Sequence, residues 1–166
     1  MPSQHYLTLV RHAKSSWKDD QLADIDRPLN KRGRGDLPGL SARLTQKITP
    51  PDLILLSPAR RTRATAEPLC AAWPQVEVRL TPEIYEASLA QLLALVVPQL
   101  AVTRHLMLIG HNPGLAELAQ WMTGHPVDYF PTAAWIQLGW PAEQPLLSGC
   151  AQRLLFDYPK LHRSSL

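Results

Sequence analysis

Three apolar runs in this chain stop abruptly at arginine or histidine. Leu7-Thr8-Leu9-Val10 leads into Arg11-His12, Leu53-Ile54-Leu55-Leu56 into Ser57-Pro58-Ala59-Arg60-Arg61, and Leu106-Met107-Leu108-Ile109 into Gly110-His111-Asn112-Pro113-Gly114. Short apolar runs bounded by turn residues read as buried strands. The full set of strand-length runs is 6–10, 52–56, 76–80, 105–109, 133–138 and 153–156. Between most of them lies helical periodicity: 37–48, with Leu40 and Leu44 on one face and Pro38 in the first turn or just before it; 62–73, kinked at Pro68; 88–100; and 114–122. This alternation predicts an α/β fold, a three-layer α/β/α sandwich with a central, mostly parallel sheet. No internal repeat or linker interrupts it, so residues 1–166 read as one catalytic domain.

Composition narrows the alternatives. With 45% hydrophobic and 19% charged residues, the chain can bury a core, and disorder is excluded as its main state. A net charge of +3 without a lysine-rich tail is a weak field, so no nucleic-acid partner is expected. No apolar run reaches the roughly 18 residues of a membrane span, and the Met1-Pro2-Ser3-Gln4-His5-Tyr6 start lacks a leader pattern. The expectation is a cytoplasmic protein with no membrane partner. Cys70 and Cys150 are too few and too far apart for a disulfide framework or a zinc ribbon. Proline is abundant, 16 residues against a usual frequency of about 5%, and Pro28, Pro58, Pro113 and Pro131 fall in the loops that matter below.

In an open α/β sheet with right-handed crossovers, strand C-termini share one edge, and ligands sit there where strand order reverses. If the three strands ending in Arg11-His12, Arg60-Arg61 and His111 are neighbours, these groups converge. Arginines at the ends of apolar strands imply an anion, because the guanidinium fork matches phosphate oxygens. Helices opening after Arg61 and Pro113 would turn free N–H groups toward the same place. With no strand-end cysteine and no Gly-x-Ser-x-Gly turn, His12 is the candidate nucleophile. Flanking cations should keep it neutral, one ring nitrogen free and the other bonded to a backbone carbonyl. Arginine beside each would-be ligand repels a divalent ion, and no His-Glu-x-x-His spacing occurs; no metal and no cofactor are expected.

Leu9-Val10-Arg11-His12-Ala13-Lys14-Ser15-Ser16-Trp17 resembles the Arg-His-Gly signature of the histidine phosphatase superfamily, in the Arg-His-Ala variant of its small SixA-like phosphohistidine phosphatase branch. Asp26-Arg27-Pro28-Leu29-Asn30-Lys31-Arg32-Gly33 is similar to the family's Pro-Leu-(Thr/Asn)-x-x-Gly segment, and Ser57 to Glu67 to its Ser-Pro-x-x-Arg-x-x-x-Thr-Ala element. Gly110-His111-Asn112-Pro113 resembles the second histidine motif, and Pro131-Thr132-Ala133-Ala134 a late segment of the SixA-like branch. The resemblance spans nearly the whole chain in order and implies a phosphoglycerate-mutase-like fold.

The resemblance also implies roles: His12 as phosphoryl acceptor, Arg11 and Arg61 as phosphate clamps, and His111 as the fourth member of the pocket. Water would then hydrolyse the phosphohistidine. For the general acid, Glu83 is the nearest counterpart of the glutamate that phosphoglycerate-mutase-like members place after the third strand, and Asp19, Asp20, Asp24 and Asp26 compete with it. The leading expectation is a metal-independent phosphatase acting on phosphohistidine of a partner protein. Alternatives are a small-molecule phosphomonoesterase or mutase-like enzyme on sugar phosphates, and a phosphate-recognition module without turnover. Arg60 reads as facing outward, Ser57 as supporting its turn, and Trp17 as either a pocket-mouth or a packing residue. Thr132 divides between the pocket and a turn. His5, His105, His125 and His162 read as structural or surface residues, and Arg34-Gly35-Asp36 as a coincidental tripeptide.

Overall fold

The computed structural model describes residues 3–163; Met1 and Pro2 of the opening segment lie outside the described residues, as do residues 164–166. Six strands form one sheet: β1 (Gln4–Arg11), β2 (Leu53–Leu56), β3 (Glu77–Leu80), β4 (His105–Gly110), β5 (Trp135–Pro141) and β6 (Gln152–Asp157). Their order is β3-β2-β4-β1-β5-β6. The β1–β4, β2–β4 and β2–β3 pairs are parallel, whereas β5 runs antiparallel to both β1 and β6. β2 and β4 are buried at every residue, which is why they read as unbroken apolar runs rather than as alternating patterns. β3 lies at the edge, exposed throughout, with Arg79 and Glu77 paired at 2.7 Å. Charges on an edge strand oppose further strand addition.

Four helices complete the layers: α1 (Lys31–Lys47), α2 (Arg60–Ala72), α3 (Leu89–Leu100) and α4 (Gly114–Thr123). Leu40 and Leu44 of α1 and Ala66 and Leu69 of α2 pack with Val10, Ile54, Met107 and Ile109. Leu92 and Val96 of α3 and Leu115 and Leu118 of α4 pack with Leu7, Leu9, Leu55 and Leu108 on the other face. Successive strand residues point to opposite faces, so β1, β2, β4 and β5 each feed both cores. A fully buried leucine contributes about 1.5–3 kcal/mol. The result is the expected α/β/α sandwich around a mostly parallel sheet.

Several boundaries differ from the sequence expectation, and two starts do so for identifiable local reasons. α1 begins at Lys31 rather than at residue 37, because the Asn30 side chain accepts a hydrogen bond from the Gly33 amide at 2.8 Å and caps the helix there. Its first six residues are too polar to carry an apolar period, and Pro38 therefore lies inside the helix, where it cannot donate to the Arg34 carbonyl. β5 begins at Trp135 rather than at residue 133. Ala133 takes a positive φ of 60° and gives its N–H to the His12 carbonyl at 2.9 Å, so it buttresses the end of β1 instead of extending the strand. The remaining helices start within two residues of expectation, and Ser88 caps α3 through a reciprocal bond with Gln91.

The sheet order makes β2, β4 and β1 consecutive. The chain leaves β1 toward α1 on one face and leaves β4 toward α4 on the other. Adjacent strands whose connections part in this way open a crevice at their carboxyl ends. No described helix is long and apolar enough to cross a membrane.

Candidate active site

The crevice is a cavity of about 690 Å³ bordered by the loop after β1, the start of α2, the turn after β3 and the start of α4. At its centre the backbone of His12 is tied on both sides: its amide donates to the Gly110 carbonyl of β4 at 3.2 Å, and its carbonyl accepts from Ala133. The residue as a whole is 7% exposed. Its Nδ1 lies 2.7 Å from the Ala13 carbonyl, which can only accept, so Nδ1 carries the proton and Nε2 keeps its lone pair. Ala13 is itself held by its amide on Thr65 Oγ1 of α2 at 2.9 Å. Burial pushes the His12 pKa down to about 3; the Ala13 bond opposes this, and His111, Arg11 and Arg61 add to it.

His111 follows β4, its ring centroid 5.3 Å from that of His12. Its Nε2 shares a 2.7 Å hydrogen bond with Ser57 Oγ at the end of β2. Burial, then Arg61 and Arg11, lower its pKa to about 4, with Asp24 acting in the opposite direction. Arg11 donates from Nη1 to the Phe130 carbonyl at 3.0 Å, and Asn112 donates to the same oxygen at 2.8 Å. The Nε groups of Arg11 and Arg61 are buried without a partner among the described residues. Both arginines line the cavity, and two guanidinium groups there favour an anion as its occupant.

A second cluster flanks this centre. Arg61, in the first turn of α2, donates from Nη1 to the Asp24 carbonyl at 2.7 Å and from Nη2 to Asp24 Oδ2 at 3.0 Å. Oδ1 of Asp24 accepts from Arg27 Nε at 3.0 Å, and Oδ2 also accepts from the Tyr85 hydroxyl. The Tyr85 bond and the two arginines hold the Asp24 carboxyl well below the usual carboxylate range, against the effect of its partial burial. Burial and the bond to Asp24 push Tyr85 up to about 12. The Tyr85 ring stands edge-on to His111 at 5.6 Å. Arg27 also donates to Ser15 Oγ at 2.7 Å and places its guanidinium 3.5 Å from the ring centroid of Trp17, which is 75% exposed and lines the cavity.

Arg11, His12, Arg61 and His111 all line this one cavity, as do Trp17 and Thr132. Glu83 does not. It is exposed in the 3-10 turn Pro82–Ile84, which Tyr85 follows directly; Ile84 and Tyr85 both line the cavity, Ile84 packed inward under Gly110, so the turn directs Glu83 to the outside. Of the four competing aspartates, only Asp24 lines the cavity; Asp19, Asp20 and Asp26 are exposed elsewhere. Arg60 is exposed and borders a separate shallow groove with Arg63, Glu67 and Cys70. Ser57 does more than support its turn, since it bonds His111. Tyr85 and Arg27 are cavity residues to which sequence reasoning assigned no role. Arg27 lies in the Asp26 to Gly33 segment that resembles a family motif, whereas nothing in the local pattern singles out Tyr85. His105 is buried and bonds Thr8 Oγ1 at 2.7 Å, remote from the cavity lining. Both cysteines are free thiols. Among the described residues, no group of three or more His, Cys, Asp or Glu is placed to hold a metal ion.

Comparison with known proteins follows the same outline. The model of the histidine phosphatase superfamily, branch 1, matches residues 7–101. A protein of Picosynechococcus is 36% identical over 131 residues, 74% of this chain and 78% of its own. An uncharacterized chloroplastic protein of Arabidopsis thaliana is 34% identical over 128 residues, covering 71% of this chain; the match spans 59% of the plant protein. Among solved structures, a protein provisionally designated the phosphohistidine phosphatase SixA from Agrobacterium tumefaciens superposes with a TM-score of 0.82 at 27% identity, over 96% of this chain and 99% of that one. The protein histidine phosphatase SixA complexed with tungstate gives 0.78 at 16% identity over 95% and 99%. A mycobacterial glucosyl-3-phosphoglycerate phosphatase gives 0.72 at 16% identity over 92% and 98%. At such identity the last two speak for the shared fold alone.

Proposed function

This chain belongs to the histidine phosphatase superfamily, and on that premise we propose that it is a metal-independent phosphatase working through a phosphorylated His12, with phosphohistidine on a protein as its substrate. The observation that carries the reading is the state of His12: a buried imidazole, its Nδ1 proton held by the Ala13 carbonyl and its Nε2 unprotonated among Arg11, Arg61 and His111. A poised lone pair surrounded by cations is what attack on a phosphoryl group requires, and a module that only binds phosphate has no use for it.

In the proposed cycle, Nε2 of His12 bonds to phosphorus as the bond from phosphorus to the leaving nitrogen breaks, the electron pair departing with the leaving imidazole. Arg11 and Arg61 take the equatorial oxygens, where charge accumulates in the loose transition state. Water then cleaves the phosphohistidine, releasing inorganic phosphate and restoring His12. The segments bordering the cavity, 12–30 and 81–88, carry nothing larger than a 3-10 turn, and the exposed Trp17 at its mouth suits a protein side chain entering from solvent.

Rapid quenching after mixing with a phosphohistidine peptide should trap acid-labile phosphate on the wild-type protein and none on His12→Ala. Turnover of that peptide by His12→Ala at the wild-type rate would end the reading. A strong preference for sugar phosphates in a parallel panel would move the substrate to the small-molecule class.

A further inference from the structure

Both terminal nitrogens of Arg61 are bonded to Asp24, one through its carbonyl and one through its carboxylate. Asp24 therefore lies where the guanidinium fork points. That fork is the proposed phosphate clamp, and each terminal nitrogen keeps one further N–H, so a phosphoryl group taken by Arg61 shares the guanidinium with the Asp24 carboxylate. The carboxylate is kept in place from three directions, by Arg61, by Arg27 and by the Tyr85 hydroxyl, and Arg27 is in turn anchored on Ser15 and on the Ser16 carbonyl. A carboxylate accepting from two guanidinium groups and a phenol carries no proton to give. It is a negative charge held in the lining of the proposed anion site, its side chain 46% exposed.

We propose that Asp24 is a specificity-determining residue that selects phosphoryl groups on a cationic nitrogen leaving group and disfavours phosphate esters of alcohols. The inference rests on the phosphatase reading above. An ester of an alcohol brings a phosphoryl dianion next to Asp24 and leaves as an alkoxide, which needs a proton that this carboxylate does not hold. A phosphorylated imidazole carrying a proton on its other nitrogen brings a positive ring with the phosphoryl group. When its P–N bond breaks, the electron pair stays on nitrogen, the ring departs as neutral imidazole with its own proton, and no donor is required. The fixed charge thus weakens the binding of one class and compensates the charge of the other. The exposed Glu83, outside the cavity, is dispensable in this scheme.

The test is Asp24→Asn, which keeps the shape and removes the charge. For a phosphohistidine peptide, kcat/KM should fall about tenfold; for a phosphoserine peptide, an ester of an alcohol, KM should fall about tenfold, and inorganic phosphate should bind about tenfold more tightly by calorimetry. A purely structural residue would lower both activities together, and that outcome, or no change in the ratio of the two, would overturn the proposal. Tyr85→Phe removes one bond to Asp24 while keeping the charge, and should leave the ratio within about twofold of wild type. A shift in that variant as large as in Asp24→Asn would also overturn it. Phosphate binding is read without turnover. A wild-type protein that binds phosphate but hydrolyses neither substrate would therefore defeat the phosphatase reading, while the charge effect of Asp24 on phosphate affinity would still stand or fall by calorimetry.

Discussion

Nδ1 of His12 and the carbonyl oxygen of Ala13 lie 2.7 Å apart, so the residue following the histidine selects its tautomer. The bond closes within two consecutive residues, and the amide of Ala13 is fixed in turn by Thr65 on a different element. The motif thus carries its own orienting acceptor, and α2 holds that acceptor still.

This arrangement predicts how His12 responds to pH. With its pKa at about 3, His12 should stay neutral far below the ordinary histidine value of 6.5. In proton NMR, its ring resonances should not titrate between pH 8 and pH 5; an inflection near 6.5 would show that burial and the neighbouring cations do not act as described.

The same burial has a consequence for stability. His12, His105 and His111 have native pKa values of about 3, 4 and 4, below the 6.5 expected when unfolded. Between those limits the unfolded chain binds protons that the native protein refuses, so stability rises with pH there and is lost as pH falls from about 6.5 toward 4. Thermal melting should show Tm falling between pH 7 and pH 4.5, and His105→Gln, remote from the cavity, should flatten the slope.

Ser57→Ala removes the hydrogen-bond partner of His111 Nε2, a half-buried ring beside His12. A lost bond of this kind costs about 1–3 kcal/mol. We expect kcat to fall about tenfold with KM little changed, in steady-state assays on a folded variant. Glu83→Gln, by contrast, should alter kcat by less than about twofold, since its side chain is exposed and outside the cavity lining. A large loss in that variant would return Glu83 to the reaction.

Two glycines of α1 should respond oppositely to alanine. A Cβ on Gly33 would lie 2.1 Å from the Lys14 carbonyl oxygen, backbone against backbone, with no flexible group to yield. Gly33→Ala should cost about 1–3 kcal/mol or more in urea unfolding and displace the loop after β1. Gly35 has nothing within 4 Å of such a Cβ, so Gly35→Ala should stabilise by about 0.5–1 kcal/mol through helix propensity.

Much of this molecule was legible in the chain itself. Apolar runs of strand length alternate with a 3.6-residue period, and that alternation determined the α/β layers, because burial on both faces and on one stripe imposes different spacings. The same runs, ending at Arg11-His12, Ser57 to Arg61 and Gly110-His111, marked the strand ends where a site would form. Boundaries failed where local chemistry departs from periodicity: the polar first turns of α1, capped by Asn30, and the positive φ of Ala133.

Only the tertiary structure decided what else enters the cavity. Asp24 sits in a loop of several aspartates with no local mark to separate it from Asp19, Asp20 or Asp26; it is singled out by Arg61, 37 positions later, and by Tyr85, 61 positions later. Glu83 and Tyr85 are two residues apart, yet one is solvent-facing and the other touches His111, because Ile84 between them is buried under Gly110. Periodic burial is a local property that a sequence records. Which carboxylate meets which guanidinium is set by the order of strands in the sheet and the direction of short turns, and those follow from the packing of the whole chain.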